Sequence, residues 1–221
     1  MRKIKFSENK FYHLYNRGVD KRLIFVSEED YSRFEAYLYL LNDIDSPRVS
    51  NLFAKRKKAS VYDNARNDRL VAIGAYCLMP NHFHMLLSPL IEGGVSKFMQ
   101  KLQTAYTMYF NNKRDRRGSL FESTFRASTI ARDQDLKYAV TYIHLNPAKL
   151  FDSNWKELQG YEFESVASKA LQYRYSSIGE FAANKFVITS PDEYPMFVKR
   201  INSLDSHIQN WLKYSPRSNI D

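Results

Sequence analysis

One stretch constrains this chain more than any other: Met79-Pro80-Asn81-His82-Phe83-His84-Met85-Leu86-Leu87. From His82 onward, apart from its two imidazoles, it is apolar, as expected of a strand covered on both faces. Alternate residues of a strand share a face, so His82 and His84 point one way and Phe83 points the other way, into a core. Two imidazoles side by side on a rigid element form half of a divalent-metal site. The chain has five histidines and places two of them here. A lone His-x-His pair is weak ground, because most such pairs bind nothing. Its partners must come from elsewhere in the chain.

A second stretch, Tyr142-Ile143-His144-Leu145-Asn146-Pro147, can supply them. The spacing predicts a helix that starts at Arg132-Asp133-Gln134-Asp135 and ends at Pro147. Tyr142 and Asn146 then lie at i and i+4, on one helix face. A tyrosine hydroxyl, with a pKa of about 10, is a poor nucleophile at neutral pH. It becomes useful where a metal polarises the electrophile. Asn146 offers a carbonyl oxygen as a third ligand beside His82 and His84. Two nitrogens and one oxygen suit Mg²⁺ or Mn²⁺ holding a scissile phosphate, and suit zinc less well. Tyr138, Tyr106 and Tyr109 are rival tyrosines, each more readily explained as a structural aromatic. His144 faces away from Tyr142 and is expected to be structural or to touch DNA. His13 reads as an ordinary strand residue.

Lys and Arg outnumber Asp and Glu by 33 to 24, giving a net charge of +9 and a pI near 9.4. That balance favours a polyanionic partner such as nucleic acid. The 16 tyrosines and 15 phenylalanines can fill a core or stack on bases. A single cysteine, Cys77, excludes an intrachain disulfide framework and a multi-cysteine zinc site. No run is long and apolar enough for a membrane span, and residues 1–6 lack the apolar core of a secretory signal, so a cytoplasmic protein is expected.

Along the chain, Phe11 to Gly18 reads as a strand ending in a turn, followed by a polar loop over residues 20–24. Ser27-Glu28-Glu29-Asp30 opens a helix with a cap and early acids. Residues 43–69, with Lys55-Arg56-Lys57-Lys58, read as a basic loop or insertion. Leu70–Tyr76 and His82–Ser88 read as two central strands. A helix capped by Ser96 runs to about Asn112, and Leu120–Ile130 is a further strand region. Residues 150–221 are less regular, with a packed segment around Tyr173–Phe181 and a weakly helical end.

The two motifs together carry a resemblance. His82-Phe83-His84 resembles the His-hydrophobic-His signature of HUH endonucleases. The segment Ala75–His84 followed by Tyr142–Pro147 is similar to single-tyrosine HUH transposases, with closest likeness to the REP-associated tyrosine transposases. Tyr12–Gly18 and Leu120–Arg126 resemble that branch as well, and Tyr175-Ser176-Ser177 does so more faintly. The likeness spans roughly residues 10–150.

The resemblance implies an α+β fold, a ferredoxin-like or RRM-like HUH nuclease core. In it an antiparallel sheet is flanked by helices over residues 1–150, and residues 151–221 form a C-terminal appendage. It implies metal-dependent cutting and rejoining of single-stranded DNA at hairpin or palindromic sites, through a 5′-phosphotyrosine link. By motif position Tyr142 is the nucleophile, and His82, His84 and Asn146 are the metal ligands. The expected partner is single-stranded or hairpin DNA, bound by a monomer or homodimer in the bacterial nucleoid. Arg17, Arg126 and the cluster Lys55, Arg56, Lys57 and Lys58 are candidate phosphate contacts. A domesticated, non-catalytic hairpin-binding protein is the chief alternative. A single-strand RNA-binding sheet would leave the paired histidines unexplained, and a replication-initiator nickase fits the motif order less well.

Overall fold

The computed structural model describes residues 4–46 and 61–214. Its centre is a sheet of β1 (Phe11–Arg17), β2 (Val71–Met79), β3 (His82–Pro89) and β4 (Arg126–Ile130), in the order β2-β3-β1-β4 with every pairing antiparallel. Helix α1 (Glu28–Leu40) connects β1 to β2, and α2 (Gly94–Lys113) connects β3 to β4. This is the split βαβ arrangement of the ferredoxin-like motif, so the α+β antiparallel sheet expected from the resemblance is the fold observed.

Both faces of the sheet are covered, which explains the unbroken apolar runs of β2 and β3. On one face Leu14, Phe83 and Met85 pack with Phe34 of α1 and with Phe98 and Tyr106 of α2. On the other, Ala75, Cys77 and Leu86 pack beneath Ala139 and Ile143 of α3 (Asp133–Leu145). The same apolar cluster takes in Phe163 of α4 (Gly160–Leu171), Phe181 of α5 (Ile178–Ala182), Val198 of α6 (Met196–Lys199) and Trp211 of α7 (Leu204–Tyr214). The C-terminal residues therefore roof α3.

Several boundaries differ from those expected. Helix α2 begins at Gly94, ahead of the expected Ser96 cap. A Cβ at Gly94 would collide with the carbonyl oxygen of Leu70, so only glycine lets the first turn sit against β2. The strand expected over Leu120–Ile130 is regular only from Arg126. Residues before it are tied to the end of β1 instead, by a Gly18–Phe121 bridge and the Glu122 N–H donated to Arg17 O at 3.0 Å. The link between β2 and β3 is shorter than expected, a tight turn at Pro80-Asn81. The loop after β1 contains a 3₁₀ turn at Val19–Lys21. Helix α4 had no clear signal in the sequence. The basic run Lys55, Arg56, Lys57 and Lys58 lies outside the described residues.

The entrance to α1 follows the expected cap and adds a charge lock. Buried Asp30 accepts the backbone N–H groups of Val26 at 2.9 Å and Ser27 at 3.1 Å. It also takes Lys113 at 3.1 Å and Arg114 at 2.5 Å from the end of α2. Burial alone would raise its pKa, but the hydrogen bonds from Arg114, the Val26 backbone, Lys113 and Tyr109 override it and hold the carboxyl far below its ordinary value of 3.8. A carboxyl depressed in the folded state contributes stability above its unfolded pKa and loses it as pH falls towards the folded value. Asp30→Ala is expected to lower the unfolding free energy at pH 7 by about 2–4 kcal/mol. In urea titrations the gap between variant and wild type should narrow once pH drops below the ordinary aspartate value of 3.8.

Candidate functional site

The site forms where β1 and β3 run side by side beneath α3. The β1–β3 register sets Arg17 opposite His82 and Tyr15 opposite His84. The alternation predicted for β3 holds: Phe83 enters the α1/α2 core, while His82 and His84 face α3. A cavity of about 390 Å³ opens there, lined by Tyr15, Arg17, Lys21, His82, Tyr142 and Lys149, together with Asn81 and His84.

Helix α3 brings Tyr142 and Asn146 to this face, one turn apart. Tyr142 is 5 % exposed and Asn146 2 %. The Tyr142 ring meets that of His84 edge-on at 5.5 Å and that of His13 at 5.9 Å. The helix ends at Leu145, but Asn146 keeps helical angles and opens a 3₁₀ turn, Asn146–Leu150, that carries Lys149 to the cavity. Four of the residues chosen from sequence, His82, His84, Tyr142 and Asn146, are thus brought together within one chain.

The hydrogen bonds define what these side chains can offer. His82 Nδ1 lies 2.6 Å from Asn81 Oδ1, an acceptor; a proton on Nδ1 leaves Nε2 with the lone pair. That Nε2 faces Asn146 Oδ1 at 3.3 Å. In this arrangement two acceptors confront each other, and a cation in contact with both would turn a repulsion into two bonds. His84 Nδ1 is held by His13 Nε2 at 2.9 Å, and a proton on Nδ1 leaves His84 Nε2 as a second imidazole donor. Ligating histidines commonly have their other nitrogen fixed in this way. Among the described residues no group of three or more His, Cys, Asp and Glu is placed to hold a metal. The donors that could hold a divalent cation here are two imidazole nitrogens, of His82 and His84, and the amide oxygen of Asn146. All three donors are neutral, so they would leave the cation's charge undiminished for a phosphate.

Electrostatics support the neutral forms. Burial, reinforced by the nearby Lys149, lowers the His82 pKa to about 4. Burial, then His13 and His82, holds His84 well below the usual histidine value. Both imidazoles are unprotonated at neutral pH, as ligation requires.

Cations ring this neutral centre. Arg17 pairs with Glu122 at 2.5 Å, and Arg126 reaches the other oxygen of Glu122 at 3.5 Å. Arg126 stands at the rim, 6.0 Å from the Tyr15 ring, rather than in the cavity. Lys21 and Lys149 line the cavity, and the Lys156 ammonium lies 5.1 Å from the centre of the Tyr142 ring. Sequence reading missed these three lysines. Lys149 had a usable signal, lying three residues after Asn146 and so one turn on, whereas Lys21 and Lys156 are recruited by loops with none. His13 was also missed, and strand alternation from Tyr15 could have placed it on this face.

His144 is structural. Its Nε2 meets Ser177 Oγ at 2.8 Å and its Nδ1 meets His207 Nε2 at 2.9 Å. His207 Nδ1 in turn donates to Ser203 O at 2.7 Å, and Ser177 Oγ accepts the Tyr76 N–H at 2.9 Å. One consistent set of protons satisfies this chain with both rings neutral. It joins β2, α3, α5 and α7, and the side chains of His144, Ser177 and His207 are fully buried. The Tyr175-Ser176-Ser177 segment also covers the free edge of β2, through Leu78 N to Tyr175 O at 2.8 Å and Ser177 N to Tyr76 O at 2.9 Å.

Comparison with known proteins adds to this geometry. Residues 48–146 match the family model described as "Transposase IS200 like". That segment contains His82, His84, Tyr142 and Asn146, so the likeness read from the two motifs is found again by an independent route. Among solved structures, a REP-associated tyrosine transposase bound to a REP hairpin is similar at 12 % identity and a TM-score of 0.48, over 86 % of this chain and 89 % of that one. No curated protein sequence matches the chain significantly. No helix among the described residues is long and apolar enough to cross a membrane.

Ser177→Ala and His207→Leu each strand a nitrogen of buried His144. Each is expected to cost about 1–3 kcal/mol of stability. Because both act on one hydrogen-bonded chain, the double variant should lose less than the sum, as a double-mutant cycle of denaturant midpoints would show.

Proposed function

We propose that the chain is a metal-dependent single-tyrosine transposase, which cuts and rejoins single-stranded DNA at hairpin or palindromic sites through a 5′-phosphotyrosine intermediate. The observation that carries this reading is the convergence of Tyr142 from α3 with His82 and His84 from β3 in one cation-rimmed cavity, with Asn146, just after α3, 3.3 Å from His82 Nε2. The match of residues 48–146 to IS200-like transposases supports it.

In this reading Arg17, Lys21 and Lys149 hold the phosphates of the strand on either side of the scissile bond. Asn81 and His13 keep His82 and His84 turned so that their Nε2 atoms face the cavity. His82, His84 and Asn146 would hold Mg²⁺ or Mn²⁺, which would supply Lewis-acid polarisation of the scissile phosphate. The Tyr142 oxygen attacks phosphorus; a P–O bond to the tyrosyl oxygen forms, and the bond from phosphorus to the 3′ oxygen breaks. The phenol gives up one proton and the departing 3′ oxygen takes one up, so the step is proton-neutral. Lys156 places positive charge beside the ring on which negative charge grows. One phosphodiester replaces another, so rejoining by the 3′-OH needs no nucleotide cofactor.

The test is a denaturing gel of the protein with labelled single strands copied from both flanks of its gene, with Mn²⁺, with Mg²⁺ and with chelator. A metal-dependent, denaturant-resistant adduct is expected, and it should vanish in Tyr142→Phe. Tight hairpin binding with no adduct under any metal would instead support the non-catalytic binder. Asn81→Ala should lower the rate of adduct formation, or the metal affinity, by roughly 10–100-fold through loss of His82 orientation, with folding intact by circular dichroism.

A further inference from the structure

A second groove, of about 760 Å³, runs along the outer face of α2 opposite residues 119–125. Its helix wall is Ser96, Gln100, Gln103, Thr104 and Thr107, which recur at the spacing of one helix face. Gln100 and Thr104 are exposed, and Met108 beside them is 60 % exposed. Phe121 and Phe125 contribute to the opposite wall. Among the described residues, the only charged side chain lining the groove is Glu122.

That composition is unusual on this surface. Lys and Arg number 33 in the chain, yet none of those among the described residues lines this groove. A channel built for phosphates would carry cations. Amides, hydroxyls, a thioether and aromatic edges suit a flat, uncharged ligand with hydrogen-bonding edges. A glutamine amide can pair with the edge of adenine, and hydroxyls can pair with any base. The methionine sulfur can lie against a ring.

The groove also leads to the Tyr142 cavity. Glu122 borders both the groove and a shallower depression shared with Arg17 and Lys21. Those two cations border the cavity itself. The wall between is firmly held. Buried Asn16 on β1 donates from Nδ2 to Ser123 O at 2.8 Å and to Gln103 Oε1 at 2.5 Å, and Gln103 Nε2 donates to Thr124 O. A strand could therefore lay its phosphates along Arg17 and Lys21 and turn its bases into a preformed slot.

We infer that this groove seats unpaired nucleobases of the strand whose phosphate lies at the Tyr142 cavity, with Gln100 and Thr104 reading base edges and Met108 covering a base face. The inference rests on the transposase reading for the strand itself, but assigns base recognition to a face of α2 remote from His82, His84 and Tyr142.

Fluorescence anisotropy with three labelled probes of equal length tests it: a dA homopolymer, a dT homopolymer, and an abasic chain with the same number of phosphates. Wild type should bind at least one base-bearing strand roughly tenfold more tightly than the abasic chain. Gln100→Ala/Thr104→Ala should shrink that preference by roughly fivefold or more while leaving abasic binding unchanged. Both changes fall on exposed helix positions where alanine is favourable, so folding is preserved. Lys149→Ala should weaken all three probes in parallel. A double variant that keeps the wild-type preference, or a wild type that binds strands without regard to bases, overturns the groove assignment and leaves the Tyr142 reading standing. Failure to bind any of the three probes overturns both.

Discussion

The placement of α3 on the sheet governs everything else in this molecule. The helix carries Tyr142 and leads directly into the turn that begins at Asn146, and its seat on the sheet sets both beside His82 and His84. Apolar packing on Ala75, Cys77 and Leu86 supplies the attraction but little directional preference. Direction comes from His144, whose two ring nitrogens are fixed by Ser177 and His207 at 2.8 and 2.9 Å. Hydrogen bonds between buried neutral groups tolerate little displacement, because a stranded partner bears its full desolvation cost. The C-terminal residues thereby set the register of a site to which they contribute Lys156 alone of the neighbouring groups described above.

Charge is arranged in layers around that site. Innermost are three uncharged side chains, the imidazoles of His82 and His84, kept neutral by burial, and the amide of Asn146. Around them stand Arg17, Lys21, Lys149 and Lys156. Glu122 pairs with Arg17 and Arg126, holding both cations at the rim where the cavity meets the α2 groove. Cationic and uncharged surfaces thus lie apart, joined at Glu122.

Much of this was legible in the chain. The alternation of His82, Phe83 and His84 sorts side chains between two faces by spacing alone, because a period of two admits no other arrangement. The Tyr142–Asn146 spacing does the same for α3. Features that depend on loops meeting across the fold were not legible. Lys21 and Lys156 reach the site from turns with no periodicity, and His207 meets His144 only after α7 has folded back over α3. The early start of α2 was hidden because it rests on a tertiary contact between Gly94 and Leu70 O rather than on a capping side chain. Lys55, Arg56, Lys57 and Lys58 lie outside the described residues, so their contribution to phosphate binding remains a proposal.

Two histidines of β3 and the amide of Asn146, all from one chain, must together form a divalent-cation site if this reading is right. Diffraction from crystals soaked in Mn²⁺, with data collected for its anomalous signal, probes that directly and without reference to activity. An anomalous peak touching His82 Nε2, His84 Nε2 and Asn146 Oδ1 is expected, and it should be lost in His82→Ala. Mn²⁺ taken up elsewhere, with no peak at these three side chains at saturating metal, would refute the site.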